Sequence, residues 1–350
     1  MNPNWWPGSY SKAIQPNNAI INMFLRIMLL FLITMAFGAQ AADMSWQSRK
    51  TADLVAEART LLDLGKVTRA TEKQLEQIVL TLGSRAPSPD ARGLVEQLSQ
   101  REPQILVAHE EGNTMIPFVD VGAAARVTQR RWTRAAARTN ALRAIRAGDP
   151  QFLQNYFSAD AAGQAGAIDA VGELQVQYLV FYRDQIIDRI EEPGADKLAA
   201  AAAAALADIA LYESVLTTGT PAIALAAIRE LEQTVGADAA LRLLKLALRR
   251  PDIASASLYE VGRLSATLPV AKNLLWTSLS DPGLGSSAAA VLARHADRNT
   301  VNRLATLLDS TENLVQKRAL LALRLSGDAR AKQIARDWLA QSRPDNESDR

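Results

Sequence analysis

The chain of 350 residues contains no cysteine and two histidines, and aromatic side chains make up 5% of it. The missing cysteine excludes disulfides, thiolate metal sites and lipid attachment to an N-terminal cysteine, and it is compatible with an oxidising exported compartment. His109 and His295 stand far apart, and Glu110 after His109 opens no HExxH run, so a zinc site has no second histidine nearby. No P-loop, no GxGxxG and no GxSxG elbow occurs; GLGSS at Gly283 to Ser287 has the wrong order. These absences point away from catalysis and imply neither metal nor cofactor.

Net charge is also lacking. Against 39 basic and 37 acidic side chains in the whole chain, residues 1–41 carry Lys12 and Arg26 and no acid, which leaves the remainder formally neutral. A global attraction to nucleic acid is therefore not expected. No apolar run reaches the roughly 20 residues that a membrane-spanning helix needs. The longest candidate, IMLLFLITMAF at Ile27 to Phe37, follows Arg26 and precedes Gly38 and the small-x-small triplet Ala39-Gln40-Ala41. That order reads as a secretory signal peptide cut after Ala41, with Met23 as an alternative start, and it directs the chain to a bacterial periplasm. An uncleaved anchor, which would make the chain a membrane-attached structural subunit, is the alternative.

What is present is alanine, leucine and repetition. Hydrophobic residues account for 48% of the chain, and with so few aromatics this profile favours helices packed through small side chains. AIDAVGEL at Ala167 to Leu174 returns as ALAAIREL at Ala224 to Leu231 and as SLYEVGRL at Ser257 to Leu264. The first, second, fifth and eighth positions keep their character and share one face of a 3.6-residue helix, so they are expected to point inward. In AIDAVGEL that leaves Asp169, Ala170, Gly172 and Glu173 to face elsewhere. Degenerate copies end at His295 and Leu325, giving a period of about 30 residues, room for two short helices and two turns. Turn clusters at Gly219-Thr220-Pro221, Arg250-Pro251-Asp252, Ser280 to Gly283 and Asp309 to Asn313 open successive units.

Leu307 to Leu339, with Leu307-Leu308-Asp309, Val315, Ala319, Ala322-Leu323 and Gly327-Asp328, resembles the short HEAT-like repeat of phycobilin-lyase-type HEAT proteins. The resemblance extends over Gly219 to Gln341 and implies an all-α, α-α superhelix of the HEAT/armadillo-like solenoid type. It implies no chemistry, because the matched residues are packing and turn positions. Organisation is thus expected as a signal region over 1–41, an irregular helical region over 42–218, HEAT-like repeats over 219–341 and a disordered tail over 342–350. Residues 46–64, 69–83 and 88–100 read as amphipathic helices. The seven alanines after Leu198 read as a tightly packed helix, with a low-complexity linker as the alternative. Gln104 to Val121 has two β-prone runs around a Gly-containing turn, and a small hairpin and a distorted helix are both open there.

One stretch stands apart. Gly122 to Gly148 holds seven arginines and no acidic residue, and Arg126, Arg130, Arg134 and Arg138 recur at i+4, with Arg131 beside them. Like charges at that spacing repel by a few tenths of a kcal/mol per pair unless anions compensate. Carboxylates from neighbouring helices would do so. Alternatively the ridge binds an acidic partner surface, a phosphate-bearing envelope lipid or a glycan carboxylate, since guanidinium forks suit carboxylate and phosphate. The expected function is a non-catalytic interaction scaffold of the bacterial cell envelope, binding protein partners through a solenoid groove and this ridge. A glycan-acting hydrolase or lyase built on His109, Glu110, Glu111 and Asp120 is the competing reading.

Overall fold

The computed structural model describes residues 46, 48–109, 112 and 114–341. The signal region 1–41, Glu110, Glu111 and the tail 342–350 lie outside the described residues. The protein is all-α apart from one two-stranded hairpin, and it divides into two compact units at Trp132/Thr133. That division lies well upstream of 218/219, where the change in repeat regularity suggested one.

The first unit contains α1 (Thr51–Asp63), α2 (Arg69–Gly83), α3 (Pro89–Ser99), strands β1 (Leu106–Ala108) and β2 (Met115–Pro117), and the start of α4 (Val121–Ala147). Thr68 caps α2 reciprocally with Thr71, and Ser88 caps α3 ahead of Pro89 in its first turn. Leu54, Val55 and Ala58 of α1 pack with Leu75, Ile78, Val79 and Leu82 of α2 and with Leu94, Val95 and Leu98 of α3. The i, i+3, i+4 spacing of these residues is why the segments fold as amphipathic helices. Glu72 is buried in this core and accepts a hydrogen bond from Arg101 Nη2 at 2.6 Å. The hairpin resolves the open reading at 104–121: β1 and β2 pair antiparallel with Val107 opposite Ile116. Pro117, at the end of β2, is accommodated because a two-stranded ribbon leaves its outer side unpaired.

The second unit is a double row of helices. After α5 (Phe152–Ser158), α6 (Ala161–Glu173), the short α7 (Val176–Leu179) and α8 (Arg183–Asp188), the chain forms α9 (Ala195–Leu206) and α10 (Ile209–Thr218). The pairs α11 (Pro221–Val235) with α12 (Ala237–Ala247), α13 (Pro251–Leu264) with α14 (Pro269–Thr277), α15 (Gly285–Arg294) with α16 (Arg298–Thr306), and α17 (Asn313–Leu325) with α18 (Ala329–Gln341) follow. One row runs α6, α9, α11, α13, α15, α17, each helix packed on the next. The second helices of the pairs cover its back, with α10 on α12 and α16 on α18. The seven alanines lie in α9, where Ala202 and Ala203 are buried, so the tightly packed helix is the reading that holds.

Turn chemistry sets the pair boundaries. Pro221, Pro251 and Pro269 occupy the first turns of α11, α13 and α14, where a missing N–H costs nothing. Gly236 takes φ 81° between α11 and α12, a backbone conformation other residues avoid. Two arginines tie successive helical pairs together through backbone carbonyls. Arg250 Nη1 donates to the Leu216 and Gly219 carbonyls, both at 2.9 Å, while its Nη2 pairs with Asp252 at 2.6 Å, and buried Arg318 donates to the carbonyls of Leu279 at 2.6 Å, Asp281 at 2.7 Å and Pro282 at 3.0 Å. The first two carbonyls stand at the end of α10 and the last three in the turn between α14 and α15.

The inward face holds over most of the repeat: Ala167, Val171, Ala224, Ile228, Leu231, Ser257, Leu258, Val261, Leu264, Ala288, Ala289 and Leu292 are buried. Five positions differ from expectation: Ile168 and Leu225, expected inward, are only half-buried, and three more depart further. Ala170 is fully buried, because α6 packs on both α9 and α4. His295 and Leu325, the eighth positions of the degenerate copies, are exposed, since α15 and α17 end just before or at them.

Candidate functional site

The arginine ridge is answered mainly by the octapeptide itself. Gly166 permits this, because a Cβ there would lie 2.9 Å from Arg138 N and from Ala137 Cβ, so only glycine lets α6 press against the α4 backbone. At that approach the i, i+4 pair Asp169 and Glu173 falls beside the i, i+4 pair Arg134 and Arg138. Arg134 Nε and Nη2 donate to the two Asp169 oxygens at 2.5 and 2.7 Å, a forked pair, and Arg138 engages Glu173 in the same way. Hydrogen bonds and charge from Arg134 hold the Asp169 carboxyl below its ordinary range, and Arg138 does so for Glu173. The Arg134 side chain is 55% exposed, so its pair with Asp169 contributes about 0–1 kcal/mol.

The other ridge members differ. Arg126 donates to the Ser99 carbonyl at 2.8 Å and lies 3.8 Å from Asp120. Arg130 and Arg131 are exposed and form no ion pair among the described residues. The ridge is thus no uniform row of open guanidiniums: Arg134 and Arg138 are already matched to carboxylates. Asp120, a member of the suggested acid-base group, accepts from Ala123 N at 2.7 Å and caps α4, while Glu110 and Glu111 fall outside the described residues.

Two clefts open along the α6, α9, α11, α13 row. The larger, of about 640 Å³, has Ala201, Ala204 and Ala205 of α9 as its floor and Arg138, Asp169 and Glu173 at its wall. The second, of about 480 Å³, lies between α11 and α13, lined by Leu225, Ile228 and Ala256 and by Arg229, Tyr259, Glu260 and Arg263. Arg263 Nη1 donates to Glu260 at 2.7 Å and Nη2 reaches Glu232 at 3.5 Å, and Arg294 of α15 lies over the Tyr259 ring at 5.1 Å.

The lining follows the repeat. Asp169, Gly172 and Glu173 are the third, sixth and seventh residues of the first octapeptide; Arg229 is the sixth of the second; Tyr259 and Arg263 are the third and seventh of the third. The charged and aromatic groups that the octapeptides bring to the clefts stand at positions that vary between copies, while constant positions fill the core and, through Ile168, Leu225 and Ile228, also line the clefts with apolar surface. Sequence reasoning located this outward set but singled out the ridge as the binding residues; the two clefts needed the helix packing to be seen. Among the described residues there is no cluster of three or more potential metal ligands, and no helix is long and apolar enough to cross a membrane. Comparison of the chain with known protein families, curated proteins and solved structures finds no match.

Proposed function

We propose that this protein is an exported, non-catalytic scaffold of the bacterial cell envelope that binds a partner polypeptide along the α6, α9, α11, α13 row. The observation that carries the reading is that the charged and aromatic cleft residues supplied by the octapeptides, Asp169, Glu173, Arg229, Tyr259, Glu260 and Arg263, all stand at variable positions, beside a constant apolar lining of Ile168, Leu225 and Ile228. A repeat that keeps its apolar frame and changes the polar groups around successive clefts has the pattern of a recognition surface. The chemistry of the clefts agrees: apolar floors of alanine, leucine and isoleucine, with charged walls whose ion pairs fix side-chain positions before a partner arrives, which lowers the ordering cost of binding. Export rests on the Ile27 to Ala41 segment; the absence of cysteine is compatible with it.

Tagged full chain recovered from the native envelope, followed by mass spectrometry, defines the enriched partner. Ala204→Glu, which places a charge on the floor of the larger cleft, should reduce recovery of that partner at least several-fold. Arg130→Glu with Arg131→Glu should leave recovery nearly unchanged. Undiminished recovery with Ala204→Glu, with loss in the arginine variant, would return the binding site to the ridge.

A further inference from the structure

A third cleft lies on α14 and α16, helices that belong to neither of the clefts above, and it has a different character. It is smaller, about 200 Å³, and mostly apolar in surface with polar side chains at its edge: Lys272 and Asn273 come from α14, Asn299 and Arg303 from α16, with Trp276 also in its lining. Trp276 is nearly buried, and the Arg303 guanidinium lies over its ring at 4.3 Å, close for a cation–π contact. That contact holds the guanidinium against the face of the ring, and the Arg303 side chain is otherwise exposed. Among the described residues Arg303 forms no ion pair, and the side-chain amides of Asn273 and Asn299 take part in no hydrogen bond.

Charge in the cleft does not cancel. Lys272 Nζ is 3.0 Å from Asp297 Oδ2, whose other oxygen accepts from Thr300 N at the start of α16. Lys272 and Asp297 neutralise each other, and Arg303 remains as one uncompensated positive charge. The volume falls below the roughly 300–1,000 Å³ of pockets that enclose a whole drug-sized ligand. It therefore suits one anchoring group rather than a complete sugar unit or cofactor. A planar guanidinium edge matches a planar carboxylate by two parallel N–H···O bonds, and the two flanking amides can donate to the same oxygens or accept from a backbone N–H beside them.

The geometry points to a carboxylate-anchoring site: the Lys272, Asn273, Asn299, Arg303 cleft takes one glutamate or aspartate side chain of a polypeptide partner, with Arg303 as its principal contact. This inference does not depend on the two clefts of the other row. A partner could use either surface alone, and a failure at one leaves the other standing.

The test is an NMR titration of the isotope-labelled full chain with N-acetylglutamate N-methylamide, with its glutamine counterpart, and with glucuronate. The reporter is the Trp276 indole N–H, assigned by its loss in Trp276→Phe; should that variant not fold, the Asn299 side-chain amide, assigned through Asn299→Ser, replaces it. Saturable shifts are expected with the glutamate compound in the millimolar range, as suits one anchor group. The glutamine compound should give none, and Arg303→Gln, an exposed change, should weaken the response about tenfold, equivalent to about 1.4 kcal/mol. Arg263→Gln, on the other row, should not alter it. Absence of a saturable shift, an equal response to glutamine, or an unaffected Arg303→Gln would overturn the assignment. Tighter binding of glucuronate than of the glutamate compound would overturn the polypeptide source.

Discussion

Gly166 and Gly172 sit six residues apart in α6 under opposite constraints. Beside Gly166 a Cβ meets backbone of α4, which cannot move without separating the helices; around Gly172 there is nothing within 4 Å. Gly166→Ala should therefore destabilise the protein by about 1–3 kcal/mol through overpacking. Gly172→Ala should stabilise it by up to about 0.5 kcal/mol, because alanine loses less backbone entropy than glycine in a helix, an advantage that is reduced in the last turn, where Gly172 lies. Urea unfolding with the two variants side by side measures both, and shifts of the same sign would contradict the packing described. The sequence made the octapeptide visible, but it could not distinguish these glycines, since the difference arises from a helix some thirty residues earlier pressing on only one of them.

At the scale of single helices, caps and turns carried most of the legible signal. The segment read as 69–83 is α2 itself, because Thr68 and Gly83 bracket a continuous apolar stripe. Less legible were contacts made to backbone, such as the burial of Arg318 against three carbonyls, which no residue pattern announces. The same holds for Asp169 and Glu173, whose pairing with Arg134 and Arg138 depends on the close approach at Gly166. One helix cap makes a quantitative prediction. Asp297 accepts from Thr300 N at 2.6 Å and from Lys272 at 3.0 Å, and these hydrogen bonds, those with Thr300 foremost, hold its carboxyl at about 2. An unfolded aspartate titrates near about 3.9, so the contribution is fully present above that pH and is lost as pH falls through about 2. Asp297→Ala should cost about 0.5–2 kcal/mol near neutral pH, toward the lower end because the side chain is half exposed, and the difference from wild type should shrink on acidification between those two values. Stability curves for both proteins across that range check it; a gap that persists at the acid end would mean the carboxylate is not its origin.

For the whole molecule, the all-α class was legible from composition and the period of about 30 residues from the octapeptide copies ending at Leu231, Leu264, His295 and Leu325. The upstream helices obey the same packing although their sequence is irregular, because stacking needs only an apolar stripe on each helix and not a constant spacing. The site was half legible: the outward positions were, the clefts between adjacent helices were not, since each is assembled from residues of two or three helices. The central claim is that these clefts, on one row, contact a partner. Site-specific photocrosslinking in the native envelope tests it most directly, with a photoreactive side chain at Ala204, at Ala256, or at exposed Lys245 of α12. Ala204 and Ala256 should yield adducts with the same partner that unlabelled protein competes away, and Lys245 should yield none. Adducts of equal strength from Lys245, or none from either cleft position, would contradict the account.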